Sequence, residues 1–217
     1  EFTIAPIMAG FQEYELKMGS IQTILANTSR HGTGLETVNN ELEVLNEYAD
    51  QTIYNFGDMT KNIGLFTNAG IKVEDASTMI KGFSNAAAAS GTSAEGAAGA
   101  AYQLSQALSA GKVTLMDWRS LQNVGMGNKN MQQGIIEIAE AMGTMEGKGV
   151  DAAKVTKDFN GSLEKGWLTA DVMSTYLKIM SGDMDDASIS ALGLDAASVQ
   201  MLRSQATMGF EAATKVR

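Results

Sequence analysis

Histidine occurs once in the chain, at position 31, inside the glycine-rich stretch SRHGTG. A lone loop histidine has no second imidazole and no cysteine with which to share a metal ion. It has no thiol to activate as a nucleophile either, so the expected state of His31 is a solvated side chain. Carboxylates offer more combinations. Glu137 and Glu140, like Glu47 and Asp50, stand three positions apart, the spacing that puts two acids on one helix face. Acid–base catalysis needs two carboxyls in unlike environments, and a shared wet face gives them none. The run DMDDAS (183–188) has acids at spacings near those of a calcium loop, without the central glycine and the terminal glutamate. It reads instead as the acidic start of a helix, where the macrodipole favours negative charge. GKG at 147–149 lies in MEGKGVD, which lacks the leading glycine and the Ser or Thr of a phosphate loop. No GxSxG, HExxH or GxGxxG motif is present. These residues predict no catalytic group, no metal site and no cofactor, and the chain is read as a non-enzyme.

The elements that position these side chains are helical. Glycine occurs 23 times and proline once, at Pro6, so glycine supplies nearly all of the stops, by taking the left-handed conformation after a helix. Between stops, apolar residues recur every three or four positions. Tyr14, Met18, Ile21 and Leu25 share one face, and Leu35, Val38, Leu42 and Leu45 a second. Val73, Ala76, Ile80, Phe83 and Ala87 form a third stripe, Ala97, Ala101, Leu104 and Leu108 a fourth, Met131, Ile135, Ile138 and Met142 a fifth. Val199, Leu202, Ala206 and Ala213 form a later one, and no sustained period-two run rich in Val, Ile and Thr occurs. The pattern predicts an all-α fold of about eight to ten short helices joined by Gly-terminated corners.

Two of those corners share a pattern, Leu-x-x-Gly-x-apolar-Thr, 55 residues apart (166 − 111). In LSAGKVTLMDWRSL (108–121), Leu108 anchors a helix that Gly111 ends, and Val113 packs under the turn. Thr114 then caps the next helix, with Asp117 placed to complete a capping box. Val113 before the cap and Trp118 at the fourth helical position have the spacing of a hydrophobic staple. In LEKGWLTADVMSTYL (163–177), Leu163, Gly166, Trp167, Leu168 and Thr169 fill the corresponding places, Met173 stands where Trp118 stands, and Asp171 lies in the first turn. Both stretches encode a sharp helix–turn–helix joint.

The whole chain of 217 residues is long enough to bury a sizeable core. It has no cysteine, which excludes a disulfide framework and a thiolate metal site and fits a reducing compartment. A net charge of −9 and a sequence pI of about 4.6 argue against nucleic-acid binding, because such a surface repels phosphates. The start, EFTIAPIMAGF, lacks the basic region of a signal peptide, and without an initiator Met the chain is expected to be a piece of a longer protein. The most apolar stretch, over 85–111, is interrupted by Glu95 and by Ser and Gln residues, and reads as closely packing helices. Fourteen methionines suit irregular core gaps and adaptable helix–helix surfaces.

Several of these stretches resemble the tape measure protein domain of tailed bacteriophages of Gram-positive bacteria. MGSIQTILANTS (18–29), LNEYADQTIYNFGDMTKNIGLFTNAGI (45–71) and DFNGSLEKGWLTADVM (158–173) are similar to it, as is the run IKGFSNAAAASGTSAEGAAGAAYQLSQALSAGKVTLMDWRSLQNVGMG (80–127). AATKVR (212–217) resembles the place where the family continues into more helix. The resemblance implies a layout of an N-terminal helix and Gly-rich loop over 1–34, a helical core over 35–181, and C-terminal helices over 182–217 that lead into the rest of a longer chain. It implies a structural protein of the virion tail, assembled in the bacterial cytoplasm, that sets tail length and assists genome ejection. Implied partners are the tail tube protein, tail assembly chaperones and distal tail or tail-tip proteins, together with a copy of itself. Specific nucleic-acid binding is not implied, and membrane contact only during ejection. The alternatives are a membrane-active helical module in DNA injection, disfavoured by the negative charge and recurrent glycine breaks, and a helical adaptor from outside phages.

Overall fold

The computed structural model describes residues 19–214. The described residues are helical, with turns and isolated bridges and no strand, so the fold is all-α. The chain divides into two compact units, Glu1–Ser77 and Thr78–Arg217.

In the first unit, α1 covers 19–28 and a 3-10 turn follows at Ser29–His31. Helices α2 (Leu35–Gln51) and α3 (Phe56–Asn68) then pack against each other. The periodicity that predicts α2 places Val38, Leu42 and Leu45 fully inside. Leu35 differs: it is the first helical residue, at the end of the stripe, and is 54% exposed. In α1 the buried line runs through Ile21, Ile24 and Thr28 rather than through Leu25, which is half-buried. Thr28 is tolerated there because its hydroxyl donates to the Ile24 carbonyl at 2.7 Å. Tyr14 and Met18, the first members of that predicted stripe, lie outside the described residues. Asn27 ties α1 to α3 by donating from Nδ2 to the Gly64 carbonyl and to Thr67 Oγ1, both at 3.2 Å.

Helix α4 (Val73–Ala89) carries the chain into the second unit. There follow α5 (Ala94–Ala110), α6 (Leu115–Asn123), α7 (Lys129–Ala141), α8 (Ala152–Lys157) and the short α9 (Phe159–Ser162) with its 3-10 extension. Last come α10 (Ala170–Met180), α11 (Asp186–Ser190) and α12 (Ala196–Ala213). Each helix from α5 to α12 starts on a side-chain oxygen that accepts a backbone N–H: Ser93, Thr114, Asn128, Asp151, Asp158, Thr169, Asp185 and Asp195. Such caps satisfy donors that a helix start otherwise orphans.

Helix α10 is the centre of this unit. Val172, Met173, Tyr176, Leu177, Ile179 and Met180 are buried, and α5, α7 and α12 pack around them. Helix α4 comes so close that a Cβ at Gly82 would lie 1.7 Å from the Leu177 carbonyl oxygen. A Cβ at Gly209 of α12 would lie 2.8 Å from the Asn85 carbonyl, and one at Gly134 of α7 would meet Tyr176 at 2.9 Å. Glycine inside a helix costs about 1 kcal/mol relative to alanine, and the close approach of two backbones is what it gives in return. Asn85, fully buried, donates from Nδ2 to the Met180 carbonyl at 3.0 Å, and the Lys81 ammonium meets Asp183 at 2.8 Å, so polar ties flank the apolar crossing of α4 with α10.

Two predictions follow from glycine placement and from capping. Gly82→Ala forces a methyl into main chain and is expected to cost at least about 2 kcal/mol in urea unfolding. Gly99→Ala in α5, where a Cβ meets nothing within 4 Å, is expected to be neutral or to stabilise by up to about 1 kcal/mol. The second concerns acid. Hydrogen bonds from Ser188 hold the Asp185 carboxyl below the usual carboxylate range, and those from Ser198 do the same for Asp195. A depressed folded-state pKa stabilises above the unfolded value and ceases to do so as pH falls through the folded one. Acid titration below about pH 4 is therefore expected to weaken α11 and α12. Asp195→Asn, which keeps a capping oxygen without the charge, is expected to flatten that dependence when helicity is followed by circular dichroism.

Candidate functional site

The two corners meet. Lys112 and Thr169 form an isolated antiparallel β-bridge, flanked by hydrogen bonds from the Val113 N–H to the Leu168 carbonyl at 2.9 Å and from the Ala170 N–H to the Gly111 carbonyl at 2.8 Å. Gly111 and Gly166 end their respective helices at φ +88° and +71°, a conformation that L side chains rarely adopt. Each chain thereby leaves its helix at the angle that brings the next residues edge to edge.

Beyond the bridge, both chains enter new helices through caps. Thr114 accepts from the Asp117 N–H, and Asp117 Oδ2 accepts in turn from the Thr114 N–H at 2.8 Å, a reciprocal capping box. Thr169 accepts from the Val172 N–H at 3.2 Å, and Asp171 sits in the first turn of α10. Val113, Leu163, Leu168, Trp118 and Trp167 are all buried, and Leu108 is 8% exposed at the end of α5. An aromatic cluster seals the joint. The Trp118 and Phe159 rings stand 4.6 Å apart and tilted, and Phe159 meets Trp167 edge-on at 5.4 Å. Trp167 Nε1 donates to Ser162 Oγ at 2.9 Å, whereas the buried Trp118 Nε1 finds no acceptor. Sequence reasoning missed Phe159 and Ser162. The signal was an apolar residue four before Leu163, in a chain with few aromatic rings.

The residues with chemical potential are scattered. His31 is exposed in its 3-10 turn. Glu137 is half-buried and accepts from Ser198 Oγ at 2.9 Å, while Glu140, Glu47 and Asp50 are exposed. Asp185 is the cap of α11, and Asp183 is taken by Lys81. Gly147 and Gly149 both have positive φ in an exposed loop. Burial pushes the Tyr48 and Tyr176 hydroxyls above the usual phenol range and Tyr54 up to about 12, the direction opposite to an acid–base group at neutral pH. Among the described residues no three His, Cys, Asp or Glu side chains stand together where they would hold a metal ion. A groove of about 840 Å³ lies between α1 and α3, rimmed by Asn27, Asn55, Thr60, Lys61 and Asn68. No described helix is long and apolar enough to cross a membrane.

A family model described as "Tape measure protein" matches residues 16–214. The chain belongs to the tape measure protein family. Its role is structural, in the phage tail. No curated protein and no solved structure matches the chain. The match runs through both corners and both units of this tape measure chain.

The bridge supplies a direct test of the joint. Lys112 and Thr169 are a non-hydrogen-bonded antiparallel pair, whose Cα atoms ordinarily lie about 4.5 Å apart, within the span a disulfide accepts. The chain has no cysteine of its own, so Lys112→Cys with Thr169→Cys is expected to give a single crosslink. Oxidised, it should raise stability over the reduced form by about 2–4 kcal/mol in guanidinium unfolding. An unchanged midpoint would mean that the two corners are not held together.

Proposed function

We propose that these residues are a folded module of a tape measure protein, one that docks within the tail while other parts of the protein act as the extended ruler that sets tail length and assists genome ejection. The paired corners carry this reading. A helical ruler converts residues into length at about 1.5 Å each. Here the chain reverses at Gly111, reverses again at Gly166, and ties the two reversals together. Val113, Thr114, Asp117, Trp118, Leu168 and Thr169 then serve to hold the folded form. Residues 35–181 form the centre of the module, with 1–34 on its N-terminal side and 182–217, whose α12 packs on α10, on its C-terminal side. Exposed Tyr102 on α5 and Met116 on α6, 48% and 79% accessible, suit contact with a protein partner. Tail tube subunits, assembly chaperones, tail-tip proteins and a further copy of the chain are the partners that fit such a role, in or on the tail tube.

Tail length by electron microscopy of the parent phage tests this. In-frame removal of residues 78–214 is expected to abolish assembly or infection without a proportionate shortening of the tails that do form. Removal of as many residues from a helical part of the full-length protein is expected to shorten tails by about 1.5 Å per residue. Equal shortening by both deletions would mean that this segment is itself threaded as ruler.

A further inference from the structure

Residues 143–158 hang on the second unit by few attachments. The segment leaves α7 through Gly143, and Gly147 and Gly149 follow, all three at φ near +70°. Its backbone hydrogen bonds are local: Thr144 N–H to the Ala139 carbonyl, Glu146 to Gly143, Lys148 to Met145, Val155 to Asp151 and Asp158 to Lys154. Lys154 Nζ also turns back within the segment, to the Gly149 carbonyl at 3.5 Å. Met145 is the buried residue of the loop, and Val155 is the buried residue of α8. Helix α8 has six residues and leans mainly on α7 and α9. Between it and α7 lies a solvent-open groove of about 340 Å³ lined by Lys129, Gln132, Gln133, Ile136, Glu137, Ala152 and Thr156. Along that groove α8 and α7 face water in place of each other's side chains, which removes dispersion contacts between them. The far end is fixed, because Phe159 lies in the aromatic cluster with Trp118 and Trp167.

We infer that residues 143–158 form a strap that opens from α7 as a local unit, pivoting between Gly143 and Phe159, and uncovers the buried Ile136 while α7, α10 and α12 stay folded. Few buried anchors, local hydrogen bonds and poor packing are the properties of segments that open below the global unfolding free energy. Asp158 stays with α9, accepting from the Gly161 and Ser162 N–H groups, so the strap is closed by two apolar anchors, Met145 and Val155.

Amide hydrogen exchange on the whole 217-residue chain tests the strap. The Val155 and Asp158 amides are expected to exchange at least about a hundredfold faster than the amides of Tyr176 and Leu177 in α10, with rates insensitive to low urea. Val155→Ala is expected to speed the strap amides by a further tenfold or so and leave α10 unchanged. If the wild-type strap and α10 amides share one rate and one urea dependence, the strap does not open by itself and the inference is overturned. The same holds if Val155→Ala speeds both sets equally, or leaves the strap amides unmoved. The wild-type comparison stands whether or not the variant folds.

Discussion

Helix α4 lies against the main chain of α10, and that contact sets the spacing of everything around it. With a Cβ position at Gly82 only 1.7 Å from the Leu177 oxygen, the two helices are in contact backbone to backbone. Side chains on either flank then have fixed partners. Asn85 reaches the Met180 carbonyl, Lys81 reaches Asp183, and Gly209 of α12 slides in against Asn85. Helix α10 can be covered by α5, α7 and α12 at once because its fourth neighbour takes so little room. The alanines buried over 86–101, Ala86, Ala87, Ala97, Ala100 and Ala101, belong to the same economy of volume. Small residues let several helices share one centre, and both tryptophans, Trp118 and Trp167, are buried at the joint.

Much of this is legible in the sequence because it is local. The stripe Val73, Ala76, Ile80, Phe83 and Ala87 is buried throughout, since a helix period computed over fifteen residues needs no knowledge of the partner. The capping box at Thr114 can be read from four consecutive residues, and the acidic start of α11 from six. Errors occur where an end or a partner decides. Leu35 has the right phase but stands at the first position of α2, and Ile24 displaces Leu25 because Thr28, a polar residue, takes a place on the buried line. In the candidate site each corner is legible by itself. Their pairing is not, because nothing in either corner specifies a bridge to a residue 57 positions away (169 − 112). Phe159 and Ser162 were missed for the same reason: their importance comes from Trp118 and Trp167, which tertiary packing brings beside them.

The polar groups of the described residues are used largely in building helices. Carboxylates are spent on helix starts, as at Asp117, Asp151, Asp158, Asp185 and Asp195, where they satisfy backbone donors. Buried hydroxyls mostly return to their own helix, as Thr60 and Thr67 do by donating to carbonyls three and four residues back. A carboxylate at an N-cap accepts from the first turn's N–H groups, and a hydroxyl bonded within its own turn is held still. In this tape measure chain the polar groups named above help define where helices begin, in keeping with a structural role in the tail.

The pairing of the corners also orders events in time. During synthesis, Gly111 leaves the ribosome 55 residues before Gly166, a delay of roughly 3–11 s at about 5–20 residues per second. For most of that interval the first corner can complete its capping box while Trp118 still waits for Phe159, and its bridge edge stays unpaired until Leu168 to Ala170 follow Gly166. The nascent chain thus presents a preformed turn with an open strand edge and an uncovered indole, and it is closed only when the second copy of the same pattern arrives.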